Sequence, residues 1–227
     1  MIGCRRTGRG LALNKAEQRQ AVLYTLDKGA LPVWSVHLYC EGTVDLTIYY
    51  HQCSMCPSEC RVNYHHNFYV PQDGQRHYFS AIPDVIQVGD HQFVERKVIN
   101  LWIGMMLMSW TSATNCARLY GSSLSSSQAF PPGWSFGSKL KSDHVYNGFM
   151  ILSLMEDATT RREELVIPHA GLDKDRFKQA VQARNTRMRL YSQPEIRHYC
   201  RKCTRFLSCG GISSSAQIFC TKLIYVI

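Results

Sequence analysis

Apolar and polar positions along the 227-residue chain change period near its middle. Val22–Leu26 reads as a strand and Asp27-Lys28-Gly29 as a turn. Pro32–Cys40 is a returning strand rich in β-branched and aromatic side chains (Val33, Trp34, Val36, Tyr39). Arg61–Val70 is a further aromatic strand, followed by a turn at Gln72-Asp73-Gly74 and a strand near Arg76–Ser80. From about His91 to Trp110 the spacing becomes helical, with Phe93, Val94, Val98, Leu101, Trp102, Met105 and Met108 in one apolar stripe. A short helix is expected over Ser112–Tyr120. Gly121–Trp134 is rich in Ser, Pro and Gly and reads as a linker. Helix returns after Asp143, placed as its N-cap, with Val145, Phe149, Leu152 and Met155 on one side. Pro168 and Gly171 break that helix. Asp173 then caps another that reaches about Leu190, with Phe177, Val181 and Met188 inward and Arg176, Arg184 and Arg187 at polar positions. The residues before 20 read as a loose basic start. The expected fold class is α+β.

Charge sharpens this division. The formal net charge is +9. Ten Lys/Arg and two acids fall between Lys174 and Arg205, so this stretch carries +8 and the remainder about +1. A localised basic segment points to a polyanion partner, DNA or RNA above all, with a solvated basic helix as the bland alternative. The longest apolar run, Val98–Trp110, is 13 residues, too short to cross a bilayer, so no membrane partner is expected. Met1–Leu13 is basic but lacks the apolar stretch of a signal peptide.

Ten cysteines without a signal peptide fit a reducing compartment, where clustered thiols hold metal more often than they form disulfides. One cluster is Cys40, Cys53, Cys56 and Cys60, followed by His65 and His66; the other is Cys200 and Cys203, followed by Cys209 and Cys220. A C-x-x-C step suits zinc, because one tight turn brings two thiolates to about 2.3 Å from a single ion. The β-rich N-terminal part therefore reads as zinc-knuckle-like, ahead of a mainly helical part. Candidate zinc ligands are Cys40, Cys60, Cys200, Cys203, Cys53, Cys56 and His65; Cys116 reads as a buried thiol. Phosphate contacts are assigned to Arg184, Arg187, Arg189, Arg201, Lys202 and Arg205. No phosphate-cradling glycine loop, H-E-x-x-H pair or G-x-S-x-G elbow occurs, and Asp84, Asp90 and Glu95 read as turn and helix-start residues. The chain is accordingly expected not to be an enzyme.

The phrases VLYTLDKGALPVWSVHLYC, CRVNYHHNFYV and IPDVIQVGDHQFVERKVINLWIGMMLMSWTSATNCARLYG resemble the CxC-type cysteine clusters found beside KDZ transposases in fungi. PPGWSFGSKLKSDHVYNGFMILSLMEDATTRREELVIPH continues the resemblance, and EIRHYCRKCTRF resembles the start of a second cluster. The resemblance implies a nuclear, non-catalytic, zinc-chelating accessory module that binds nucleic acid, or the transposase core or another protein. It divides the chain into residues 20–120 (first cluster and following helices), 121–134 (linker), 135–206 (helices into a second cluster) and 207–227 (an atypical tail). Two segments depart from the family pattern, 42–58 and the tail. Joining Cys40-Glu41 to Glu59-Cys60 would restore a C-x-x-C pair. The expectation is that both segments derive from intron or misplaced exon, which leaves the second cluster truncated. The competing reading is a true insertion with Cys53 and Cys56 as a metal pair; a further alternative is a decayed element without function.

Overall fold

The computed structural model describes residues 13–40, 61–125 and 130–191. Cys53, Cys56, Cys60, Cys200, Cys203, Arg201, Lys202 and Arg205 lie outside them, as do the segments 42–58 and 207–227. The chain divides into two units, Met1–Val181 and Gln182–Ile227.

The first unit is α+β. Its sheet has eight strands: β1 (Asn14–Tyr24), β2 (Ala30–Tyr39), β3 (Asn63–Tyr64), β4 (Phe68–Val70), β5 (Gln75–Tyr78), β6 (Val85–Gln87), β7 (Gln92–Glu95) and β8 (Val166–Pro168). Their order is β6-β7-β1-β2-β3-β4-β5-β8, and the sheet curls into a half-barrel. Every neighbouring pair is antiparallel except β1–β7. The β1–β2 hairpin turns at Gly29, whose φ of 71° is open to glycine without the Cβ penalty. Thr25 locks the turn by donating its N–H and its hydroxyl to the Gly29 carbonyl, each at 2.9 Å. The second expected turn also stands: the Gly74 N–H reaches the Pro71 carbonyl at 3.2 Å, with φ 69°.

Helices α1 (Arg96–Ser109), α2 (Ala113–Leu119) and α3 (Ser142–Thr160) cover the sheet. Val22, Tyr24, Phe68, Tyr78, Ile86 and Val94 share one core with Val98, Trp102, Tyr120, Val145, Leu152 and Met155. Tyr24 and Tyr120 meet edge to face at 5.6 Å, and the Tyr120 hydroxyl donates to the Thr25 carbonyl at 2.8 Å. This is how a buried phenol keeps its polar end satisfied. At the other end of the sheet, Cys40, Val62 and Tyr64 form a smaller cluster with Leu38 and Phe79.

Several sequence expectations shift. The strand expected at 22–26 begins at Asn14 instead, because Lys15, Glu17 and Gln18 are solvent-exposed and show no apolar alternation. The helix expected from His91 begins only at Arg96; residues 92–95 are β7, in which Phe93 and Val94 are both buried. A strand buried on both faces loses its two-residue alternation and reads as part of an apolar helix. Met108, placed in the stripe, is 85% exposed. Ser112 caps α2 as its side chain accepts the Asn115 N–H. The N-cap of α3 is Lys141 rather than Asp143, which falls in the first turn where its charge favours the helix dipole. The helix expected from Asp173 is split into α4 (Asp173–Arg176) and α5 (Lys178–Tyr191), and Arg176 is buried with its guanidinium on the Gly171 carbonyl at 2.8 Å.

Candidate functional site

The half-barrel encloses a groove of about 430 Å³ between β2, the β3–β4 turn, β6 and β7. Leu38, Tyr64, Phe79 and Phe93 give it apolar walls, and Trp34 and Val36 stand at it 53% and 44% exposed. Trp34 is braced by Trp134, edge to face at 5.2 Å. His66 meets Phe93 edge-on at 5.6 Å, and its Nε2 lies 3.1 Å from the Val85 carbonyl. A carbonyl only accepts, so Nε2 carries the proton and Nδ1 remains an acceptor in the neutral ring.

His65 lines the groove as well and sits in a cluster of rings. Its ring stacks on Phe68 at 4.6 Å and meets His37 at 4.3 Å, with His169 at 6.1 Å. Arg76 covers Phe68 at 4.5 Å and donates through Nε to His169 Nδ1 at 3.1 Å. Burial, then the charges of His37, Arg76, His169 and Arg19, push the His65 pKa down to about 3. His37, His66 and His169 are lowered in the same direction, each chiefly by burial. These imidazoles are neutral at physiological pH. A separate constellation ties β5 to the segment before β8: His77 lies 3.0 Å from Asp73 and 3.3 Å from Glu164, and the Tyr69 hydroxyl donates to Glu164 at 3.0 Å.

Of the expected zinc ligands, the structure describes two, Cys40 and His65. Cys40 packs with Val62 and Tyr64, and the His65 ring stacks on Phe68 at 4.6 Å. No group of three or more His, Cys, Asp or Glu positioned for a metal occurs among the described residues. The Cys40 N–H does bond the Val62 carbonyl at 3.0 Å, so the chain ends that enter and leave residues 41–60 are paired. Cys116 is fully buried in α2, and burial raises its thiol pKa, as befits an inert packed cysteine. Asp84 bonds Arg96 at 2.8 Å, and Glu95 takes the Leu26 N–H at 2.9 Å.

Of the expected phosphate ligands, Arg184, Arg187 and Arg189 lie on α5; Arg189 is exposed, Arg184 and Arg187 half-buried. Sequence reasoning missed the groove and the imidazole cluster. The signal for the first was the aromatic content of residues 61–80; nothing in the pattern placed His37 or His169 beside His65. No helix among the described residues is long and apolar enough to cross a membrane.

No curated protein and no solved structure matches the chain. One family model does: the CxC5 like cysteine cluster associated with KDZ transposases, over residues 2–124. That match spans more than half of the sequence and takes in β1–β7, α1 and α2, with Cys40 and every wall of the groove. On that footing the chain belongs to the CxC5-like cysteine clusters associated with KDZ transposases.

Proposed function

We propose that the chain is a non-catalytic, zinc-binding accessory module of a KDZ transposon protein that acts in the nucleus and holds nucleic acid by its phosphates. The observation that carries the nucleic-acid part is the concentration of charge: +8 within residues 174–205, against about +1 elsewhere. Arg184, Arg187 and Arg189 supply this charge from α5, ahead of Arg201, Lys202 and Arg205. Such contacts position a duplex or strand without reading its sequence. The zinc part rests on the family and on the pairing of Cys40 with Val62, two residues from Cys60. In this reading Cys40 and Cys60 share one ion, with Cys53, Cys56 and His65 as further donors, and Cys200 and Cys203 share another.

The test is a titration of DNA and RNA at low and moderate salt. Neutralising Arg187, Arg189, Arg201 and Lys202 together should weaken binding for all sequences alike and lower the salt slope by about 3 to 4. Binding untouched by that change removes the nucleic-acid claim. Metal content of the purified protein, with and without residues 42–58, decides the zinc claim. A second reading, a protein-interaction module, is favoured by Met108 and Trp110, which stand 85% and 87% exposed at the end of α1. It predicts partner capture that persists at high salt.

A further inference from the structure

We infer that the solvent face of α1 pairs two copies of this chain, one helix crossing the other antiparallel at Gly104. The inference rests on the protein-interaction reading of the exposed end of α1 and names the partner. Leu101, Gly104, Leu107 and Met108 recur at helical spacing on one side of α1, while Val98, Ile99 and Trp102 are buried on the other. Leu101, Leu107 and Met108 are exposed, as is Trp110 at the helix end. Two residues of this face work against the single chain. Gly104 weakens a helix interior, yet no neighbour requires it: a Cβ there would meet nothing within 4 Å. Trp110 ends the helix in the left-handed region, at φ 52° and ψ 28°, where glycine is the ordinary residue. Neither choice helps the isolated fold. Both suit a second helix, since glycine lets backbones approach closely and an exposed tryptophan anchors interfaces.

The face is self-complementary, as a two-fold interface requires. Leu101 and Leu107 lie three residues before and after Gly104, so an antiparallel crossing there sets Leu101 of each copy against Leu107 of the other. The same crossing brings Lys97 level with the second copy's Trp110, seven and six residues from Gly104. Lys97 is exposed, with Glu95 3.7 Å away, and an ammonium is attracted to an indole face. Charge does not oppose the pairing. No charged side chain lies between Lys97 and Arg118. The two Lys97 stand about 21 Å apart along the crossing helices, well beyond the Debye length of about 8 Å. A nucleic acid or an acidic peptide would need cations that this stretch lacks. The four exposed side chains present on the order of 500 Å² of surface per copy. Pairing therefore buries about 1,000 Å², the lower bound of a specific interface.

The test is sedimentation velocity of the full chain over about 1 to 100 µM, where an interface of this size associates. The native chain should pass from monomer to dimer within that range. Gly104→Gln should keep or raise the melting temperature of the dilute protein, since it removes a glycine from a helix interior. It should weaken dimerisation by about tenfold or more, the effect of obstructing the centre of an interface. Leu101→Lys and Leu107→Glu should each be monomeric alone, and an equal mixture of the two should dimerise, because the crossing sets position 101 of one against position 107 of the other. A native chain that stays monomeric across the range overturns the pairing. A dimer that Gly104→Gln leaves as tight as before also overturns it, as does a mixture that remains monomeric. A monomeric chain that still captures a different protein at high salt keeps the protein-interaction reading and overturns the second copy. The salt slope of nucleic-acid binding should be the same for Gly104→Gln and the native chain, so failure of the phosphate role and failure of the pairing are read separately.

Discussion

The side-chain amide of Asn67 pairs with the backbone at Gln87 as another strand would. Asn67 is fully buried in the β3–β4 turn; its Oδ1 accepts the Gln87 N–H, and its Nδ2 donates to the Val85 carbonyl at 3.2 Å. β6 is an edge of the sheet, and an open edge recruits other chains. One buried amide closes it and fastens the two arms of the half-barrel together. Asn147 extends the cap by donating to the Val88 carbonyl at 3.0 Å. The opposite edge, β8, is three residues long and ends in proline, so it too is a poor template.

Asn67→Ala should therefore destabilise the protein by about 1–3 kcal/mol, the cost of leaving the Gln87 N–H buried without a partner. Asn67→Asp should cost more at neutral pH, since it keeps the acceptor but buries a charge and loses the donor. Urea unfolding midpoints of the two variants check this. A change below about 0.5 kcal/mol in both, the level of an ordinary surface substitution, would show that the arms are held by something else.

The matched family region and the folded unit do not end together. α3 begins at Ser142, beyond the match at 124, yet Val145, Leu152 and Met155 are buried against Tyr24, Tyr78 and Trp102. β8 pairs with β5 through Arg76↔Ile167. A fragment that stops at 124 loses one wall of the core and one sheet edge. It should be unfolded or bind an apolar dye strongly, while a fragment of 1–181 should show a cooperative thermal transition. Calorimetry of the two fragments distinguishes these outcomes.

What was legible in the sequence was local. The turns at Gly29 and Gly74, the β1–β2 hairpin and helices α1 to α3 all follow from period and turn residues. β6 and β8 were not legible, because three residues hold no period, and β7 merged with α1 because Phe93 and Val94 are both buried. The site was less legible still. Spacing suggested Cys40 and His65 as donors to one ion, whereas nothing in it suggested His65 and His169, over a hundred residues apart, whose rings lie 6.1 Å from each other. Only sheet pairing through β5 and β8 brings the latter together. Asn67 fell inside the single strand expected over Arg61–Val70, so its part in capping β6 was not legible.

The imidazole cluster makes stability depend on pH. Burial holds His65 neutral with a pKa of about 3, against about 6.5 for a free histidine. In the window between these values the unfolded chain binds the proton and the folded chain does not, so stability rises with pH. The contribution is fully present above about pH 6.5 and is lost as pH falls toward 3, at no more than about 1.4 kcal/mol per unit for this one group. His37, His66 and His169, lowered in the same sense, add to the slope. His65→Phe keeps a ring on Phe68 and removes the titration. The unfolding midpoint of the native protein should drop between pH 6.5 and 4, and that of the variant should drop less. Parallel profiles would mean that His65 is not the titrating group.

Metal removal should act on one end of the sheet only. Val22, Tyr24, Phe68 and Tyr78 are buried with the helices in a core that owes nothing to Cys40, so loss of zinc cannot melt the hairpin while sparing α1. Cys40, Val62 and Tyr64 form their own cluster, joined by the Cys40 N–H to the Val62 carbonyl at 3.0 Å. If Cys40 and Cys60 share an ion, chelation frees two thiolates at the mouth of residues 41–60 and the cluster loosens. Hydrogen exchange should then speed up at Cys40 and Tyr64 and stay unchanged at Val22 and Tyr24, whose bonds lie in the central ladder. Cys40→Ala should reproduce the exchange pattern of the chelated protein and make it insensitive to chelator. If chelator leaves the native protein unchanged at Cys40 and Tyr64, while Cys40→Ala costs only the roughly 1 kcal/mol of a lost small buried group, then Cys40 is a packed thiol and the first cluster holds no structural metal at this end.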